Sequence, residues 1–504
     1  MTNLALRVSQ RTATVPWMRR LSPMSIAVIT TAVIATVPLV SQLTAALLTP
    51  DEGLLMTYPE QILLGQWPNR DFFTAYGPGG LALLAVAFKV AGLSVVVERI
   101  VGLGYHLAVA TGVVMLLRGR GALTAGVAGT ISGLLLVGLG LPAYVWLGAL
   151  ACLVWSVALL QGEPSRIQVI LAGFLAALSL AWRPDIALAV IFANVVLTVN
   201  SPRWRPWLVG AVLGSVPLAV HCAVAGAGFY RDIFSTRIQE NAFPSLLSLS
   251  SELQISVGVI AGCVVVLCVR AIRAPSRFTV AIFGMGLLLL PQCFQRVDKP
   301  HILFVGCLLI PLAVVDVLPP PKMWRGMVGR YGMSSSLAIS WFSLTVLVFS
   351  LVAKGMIVNA QYPAAWLTHG SRSLPVASVT DRDDLEILIK AANRRLPRGS
   401  KVFIGATDMA VPNYSDIALY SMLPEYIPSS YFLESVPGPA SATRLATDIG
   451  RADMLFLSMV PESFRRTVWP DSIRGSEAAN RVISSRFCLA RRAGYTLLFF
   501  KCDR

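Results

Sequence analysis

Over its first two thirds the chain alternates long apolar windows with short polar links, instead of the period-2 or period-3.6 patterns of a half-buried element. A helix needs about 20 mainly apolar residues to cross a bilayer. Windows at 24–48, 97–117, 121–140, 142–160, 167–182, 186–200, 207–225, 255–270, 277–292, 302–318 and 335–353 approach or reach that length, so about eleven transmembrane helices are expected. The window 78–93, PGGLALLAVAFKVAGL, is shorter and carries Lys89 where a spanning helix would be driest. It is expected to lie at the interface, because burying that charge mid-bilayer costs about 3 kcal/mol. From Lys354 onward the pattern becomes that of a globular chain. Residues 381–396 have helical spacing, 401–406 and 452–460 read as buried strands, and 486–502 as a hairpin. The expected organisation is a transmembrane domain at 1–353, with a first loop at 49–96, followed by an α/β domain at 354–504.

Composition agrees, with 55% apolar and 13% charged residues and a mean hydropathy of +0.67. The net charge of +16 would suggest nucleic acid in a soluble protein, but its distribution gives another account. With the N-terminus inside, one set of links carries fifteen basic residues, from Arg7 to Arg330, against the single acid Glu163. The opposite links mix eight basic residues with ten acids, among them Asp51, Glu52, Asp71, Asp185 and Asp298. This is the positive-inside bias, and it places those acids and the C-terminal domain outside. No nucleic-acid partner is expected. The run from Ser25 to Leu48 exceeds the roughly 7–15 residues of a signal-peptide core and is expected to stay as the first membrane helix.

Two adjacent acids interrupt the apolar pattern in LLTPDEGLLMTYPEQILLGQWPNRDF, residues 47–72. A carboxylate at a membrane boundary is partly desolvated and becomes a better proton acceptor. The competing reading is a solvated pair closing a helix. His106 and His221 fall within spans without partners at helical spacing, and six of the eight cysteines lie in or beside spans without metal spacing. Cys488 and Cys502 stand in the outer domain, where an oxidising compartment permits a bridge. A turn near Ala493 would oppose Cys488 to Leu497, so the bridge needs a bend or another turn. The segment 102–112, GLGYHLAVATG, resembles a nucleotide loop only superficially, since it lies in a span without the following lysine.

The order Asp51-Glu52, Tyr58, Leu64, Gly65, Trp67, then the interfacial segment, then Glu98-Arg99 opening the next span, resembles the GT-C superfamily of integral membrane glycosyltransferases. The nearest branch is the polyprenyl-phosphate-sugar one, which includes protein mannosyltransferases and aminoarabinose transferases. The resemblance covers roughly residues 24–310, and the C-terminal domain resembles those of actinobacterial cell-envelope members. It implies an inverting transfer of sugar from a polyprenyl phosphate to a glycan, glycolipid or protein acceptor on the outer face of a bacterial plasma membrane. It also implies that Asp51 is the general base and that Glu52 helps to position the acceptor or a metal. Some members use a divalent cation, which Asp51, Glu52 and Asp71 would gather, but no obligatory metal or other cofactor is expected.

Such a displacement needs cations near the leaving phosphate. Outward candidates are Arg70 with Asp71, Arg99, the turn Arg183 to Asp185, and the link holding Arg296, Asp298 and His301. Arg183 and Asp185 read equally well as a local salt bridge, and His301 as a helix cap. The aminoarabinose branch has a Lys-Pro-Pro stretch where this chain reads TAYGPGG, with Tyr76 and no lysine, so the phosphate binding of that stretch does not carry over here and Tyr76 stands only as a substrate-binding candidate. The outer stretch NYSDIALYSMLPEY (413–426) is either an acceptor surface or core packing. The alternative function is a transporter, or a lipid-handling or scaffold protein of the envelope. A transporter would place ionisable residues near mid-span in repeated halves.

Overall fold

Ser22 starts the first helix, its Oγ accepting the Ser25 N–H at 3.1 Å ahead of Pro23, so cap and proline together fix the entry. This helix, α1 (Pro23–Thr36), continues as a 3-10 turn to Gln42. A computed structural model describes residues 22–47, 50–235, 251–295, 299–317, 365–410, 417–429, 439–459 and 475–502. Within them α2 (Pro50–Leu63), α3 (Pro78–Ala91), α4 (Val95–Leu116), α5 (Ala122–Val137), α6 (Val145–Leu159), α7 (Arg166–Trp182), α8 (Ala187–Thr198) and α9 (Trp204–Ala225) follow in order. After these come α10 (Ser251–Arg273), α11 (Arg277–Gln295) and α12 (Lys299–Val317).

Six stretches among the described residues are long and apolar enough to cross a membrane: Pro23–Gln42, Val95–Leu116, Trp204–Ala225, Leu253–Arg273, Arg277–Phe294 and Pro300–Val317. Five apolar helices are shorter, including α5 to α7. Glycine shortens some windows: α5 stops at Gly138, Gly140 is left-handed at φ 77°, and Pro142 follows. Each window between 24 and 317 contains a helix, while 335–353 and the expected boundary near 353 fall outside the described residues. The segment expected at the interface is α3, whose buried face is Leu81, Leu84, Ala85 and Phe88, with Lys89 exposed.

The two ends of the bundle differ in chemistry. At one end Arg118 donates to the Gln161 carbonyl at 3.2 Å, and Arg203 to the Gly162 carbonyl at 2.8 Å. There Arg120 pairs with Asp316, an acid hidden in the 302–318 window, and Arg270 lies 3.8 Å from the same carboxylate. The other end gathers the start of α4, the end of α7, the start of α12, α2 and α3. His106 bridges the Gly102 and Leu136 carbonyls, and His221 bonds Asn69, so both are internally hydrogen-bonded.

The C-terminal unit opens with a hairpin of β1 (Ala365–His369) and β2 (Arg372–Val376), followed by α13 (Val379–Arg395). A five-stranded sheet follows in the order β4-β3-β5-β7-β6, built from β3 (Lys401–Ala406), β4 (Ile427–Pro428), β5 (Met454–Ser458), β6 (Phe487–Ala493) and β7 (Thr496–Lys501). Its first three strands are parallel and β7 runs antiparallel to β5 and β6. Helices α14 (Pro439–Arg451) and α15 (Ala478–Arg486) pack together beside it. Cys488 and Cys502 are bridged with Cα atoms 5.1 Å apart. The turn falls after Ala493, and a bulge between Leu489 and Arg491 sets Cys488 opposite Phe500, which brings Cys502 within diagonal reach. Of the stretch 413–426, residues Ile417–Met422 form a buried 3-10 turn that packs on α2, so this part is core and not surface.

Candidate active site

Asp51 and Glu52 occupy the first turn of α2, where carboxylates complement the positive end of a helix. Successive helical positions diverge by about 100°, so the two acids face different surroundings. Glu52 points inward. Its Oε1 meets Arg99 Nε at 2.7 Å, and both side chains are 0% exposed. Arg99 also donates to the carbonyls of Gln42, Ala45 and Ala46, at 2.7, 2.7 and 3.1 Å. The Arg99 guanidinium, expected as a phosphate ligand, is thus buried and engaged by these acceptors, and Glu52 is engaged by Arg99. Desolvating a lone arginine or glutamate is prohibitive, so each requires the other in this interior. Beside them Glu98 accepts the Ala143 N–H at 2.5 Å.

Asp51 remains half-buried, and Tyr76 OH donates to its Oδ1 at 3.4 Å. Tyr76 precedes Gly77, whose N–H donates to the Trp182 carbonyl at 3.2 Å. A Cβ on Gly77 would lie 2.3 Å from the Ala181 carbonyl oxygen, and one on Gly79 would lie 2.4 Å from the Trp182 ring. The glycines in TAYGPGG therefore let the loop lie directly on the end of α7. That contact sets Tyr76 beside the end of α7, where Arg183 follows Trp182 as the C-cap.

Arg183 is buried and forms a bidentate pair with Asp185, from Nε at 2.9 Å and from Nη2 at 2.5 Å. Among the described residues Nη1 has no hydrogen-bond partner. The guanidinium lies 5.8 Å over the Trp146 ring, Trp146 stacks on Phe304 at 5.3 Å, and His301 meets Phe304 edge-on at 5.8 Å. Gln292 Nε2 contacts the Asp185 carbonyl at 3.4 Å. Arg183, Asp185 and His301 thus belong to one chain of contacts, and Asp51 with Tyr76 joins the same end of the bundle through the bond from Gly77 to Trp182. Trp146, Phe304 and Gln292 complete it, and the sequence reading did not select them. Their signals were a tryptophan just inside the 142–160 window and a lone amide near the end of another.

Arg70 and Asp71 form a separate exposed pair at 2.7 Å, and Asp71 also accepts the Trp67 N–H at 2.6 Å. Its hydrogen bond with Arg70 holds the Asp71 carboxyl below the usual range. The loop around them turns toward α9, with Asn69 bonding His221. Arg296 and Asp298 lie outside the described residues. Among the described residues no group of three acids, histidines or cysteines stands close enough to hold a metal ion.

No protein-family model matches the sequence, and neither does any curated protein. Solved structures do match. ArnT from Cupriavidus metallidurans in the apo state aligns with a TM-score of 0.57 at 12% identity, over 94% of this chain and 97% of that one. The same protein bound to undecaprenyl phosphate aligns with a TM-score of 0.54, at the same identity and coverage. An archaeal oligosaccharyltransferase, from Archaeoglobus fulgidus and tethered to an acceptor peptide, aligns at 0.49 and 10% identity over 95% of this chain and 74% of that one. At these identities the likeness speaks for architecture alone. The chain is a multi-pass helical membrane protein that shares the fold of ArnT.

Proposed function

We propose that this protein transfers a sugar from a polyprenyl-phosphate donor to a hydroxyl of a glycan, glycolipid or protein, with Asp51 as the general base. The observation that carries the reading is the set Asp51, Tyr76 and Arg183. A half-buried carboxylate accepts from the phenol at 3.4 Å, and the residue after that phenol is bonded to the end of α7, where the buried Arg183 guanidinium follows. The fold adds support, since one structure sharing it is bound to undecaprenyl phosphate.

In this reading the acceptor oxygen attacks the anomeric carbon while its proton passes to an Asp51 oxygen. The bond from that carbon to the phosphate oxygen breaks, its electron pair leaves with the lipid phosphate, and the configuration inverts. Arg183, through Nη1, and His301 stabilise the departing charge, in a site where low dielectric strengthens each interaction. Asp185 holds Arg183 in orientation, and Tyr76 orients the Asp51 carboxylate. No metal is needed for this balance.

The site faces outward in this reading, supported by the arginine-rich opposite end and by the disulfide, which suits an oxidising compartment. The test is Asp51→Asn in membranes supplied with labelled polyprenyl-phosphate sugars, scored against protein abundance. Transfer is expected to fall by about a thousandfold at unchanged abundance. Undiminished transfer would remove the base assignment.

A further inference from the structure

The helix that carries Asp51 is held from two sides. Gly53, Thr57 and Glu60 are four and three residues apart, which places them on one face of α2. The C-terminal unit lies along that face. At Gly53 the approach is so close that an added Cβ would stand 2.6 Å from the Ala418 backbone nitrogen. One turn on, Thr57 Oγ1 donates to the Ile417 carbonyl at 3.1 Å in a buried contact. A further turn on, Arg372 Nη1 meets Glu60 Oε1 at 2.6 Å and also donates to the Ser421 carbonyl at 2.8 Å. Just before the helix, the Leu47 N–H reaches the Pro375 carbonyl at 3.4 Å. The ion pair between Glu52 and Arg99 supplies the second side, toward the bundle.

Helix α2 needs this support. It has only 14 residues and contains Pro59 in its interior. Proline removes a backbone donor and weakens the helix where it stands, and a helix this short is marginal alone. Thr57 and Glu60 bracket Pro59, so the two polar ties to the C-terminal unit fall where the helix is weakest. Base catalysis demands placement to within about half an ångström.

We propose that the C-terminal unit is a positioning element of the active site. Arg372, with the turn Ile417–Met422, fixes α2 so that Asp51 faces the acceptor hydroxyl. The proposal rests on Asp51 being the base. Arg372 and Thr57 touch no substrate in it and act through the helix.

The test uses the full chain in lipid nanodiscs, comparing Arg372→Gln, Arg372→Lys and Thr57→Val with the unaltered protein. Two quantities are read: amide hydrogen exchange along α2, and kcat and KM for a polyprenyl-phosphate sugar. Arg372→Gln is expected to speed exchange over α2 about tenfold and to lower kcat about tenfold, with KM within about twofold. Arg372→Lys, which keeps a cation facing Glu60, restores most of both. A kcat loss without faster α2 exchange, or no change in either, overturns the proposal. If Arg372→Gln does not accumulate, Thr57→Val decides, with smaller shifts in the same directions expected and unchanged values counting against it. Transfer that survives Asp51→Asn sinks the base assignment and with it the purpose given to the clamp, while the exchange data report on the clamp itself without reference to chemistry, so the two failures are told apart.

Discussion

Arg99 on α4 and Glu52 on α2 form an ion pair of 2.7 Å with neither side chain exposed, and the same guanidinium collects the carbonyls that end the first membrane helix. One residue thereby joins α1, α2 and α4. Breaking a buried pair leaves an uncompensated charge, at a cost of about 3–5 kcal/mol. Arg99→Ala should therefore lower the melting temperature and abundance sharply, and Arg99→Lys should do so nearly as much, because an ammonium cannot span the four acceptors. Asp51→Asn should leave the melting temperature unchanged. A stable, inactive Arg99→Ala protein would return Arg99 to the substrate.

Gly77 sits at φ −67°, a conformation open to any residue, so its requirement is steric. The Cβ of Gly77→Ala would collide with the Ala181 carbonyl. Overpacking of this kind costs about 1–3 kcal/mol and should displace Tyr76, lowering transfer more than stability. Gly104→Ala is the control, since no atom lies within 4 Å of its added Cβ. That helix-interior change is expected to be neutral or stabilising by up to about 1 kcal/mol. Equal activity in the two variants would remove the loop contact from the site's architecture.

The helices were legible because the bilayer imposes length and apolarity on each window separately, as the stretch Val95–Leu116 illustrates. What the sequence left open were pairings between distant segments. Arg99 and Glu52 are separated by 47 positions, so nothing local distinguishes a structural arginine from a phosphate ligand. Asp316 was hidden for a related reason, since it ends an apolar window and its partner Arg120 belongs to another loop. Asp51, Tyr76 and Arg183 stood out as polar residues at helix ends, but their adjacency depends on glycines at 77 and 79 that look like ordinary turn residues. The hairpin register was misjudged by the turn position and by a bulge, which no alternation of residue types reveals.

The bridge from Cys488 to Cys502 closes a separation of 14 residues, for which loop entropy gives about 3 kcal/mol at most. Much of that loop is already paired as β6 and β7, so the measured loss in Cys502→Ser should be smaller. Thermal unfolding with and without reductant checks this. Reductant should lower the melting temperature of the unaltered protein and leave that of Cys502→Ser in place. Insensitivity of both would mean that the bridge contributes nothing to stability.

Asp453 gives a pH dependence with a definite sign. Burial alone would raise its pKa, but the Lys401 N–H at 2.8 Å and Lys501 Nζ at 3.0 Å bring it below its ordinary value of 3.8. The unfolded chain therefore takes up this proton first as pH falls. The stabilisation is complete above about pH 4 and disappears as pH drops through the folded pKa. Both partners are more than a third exposed, so the effect is below about 1 kcal/mol. Asp453→Asn should flatten the fall in melting temperature between about pH 5 and pH 3. An unaltered slope would assign the acid sensitivity to other carboxylates.

The turn holding Arg183 and Asp185 admits two roles, a fastener between helices or a phosphate ligand, and paired variants separate them. If the turn is only a fastener, Arg183→Gln and Asp185→Asn break the same bidentate contact and cost the same. If Arg183 faces the leaving phosphate through Nη1, its loss removes the cation, whereas loss of Asp185 only loosens it. The expected order is therefore unequal. Arg183→Gln should lower kcat by about a hundredfold or more, on the scale of removing one charge-stabilising donor. Asp185→Asn should cost about tenfold, with a broader loss of stability, since it leaves a buried guanidinium without its partner. Steady-state kinetics with a polyprenyl-phosphate sugar, set beside melting temperatures, distinguish the cases. Matching losses in both parameters would make the turn a structural fastener and leave His301 and the link that follows α11 to hold the phosphate.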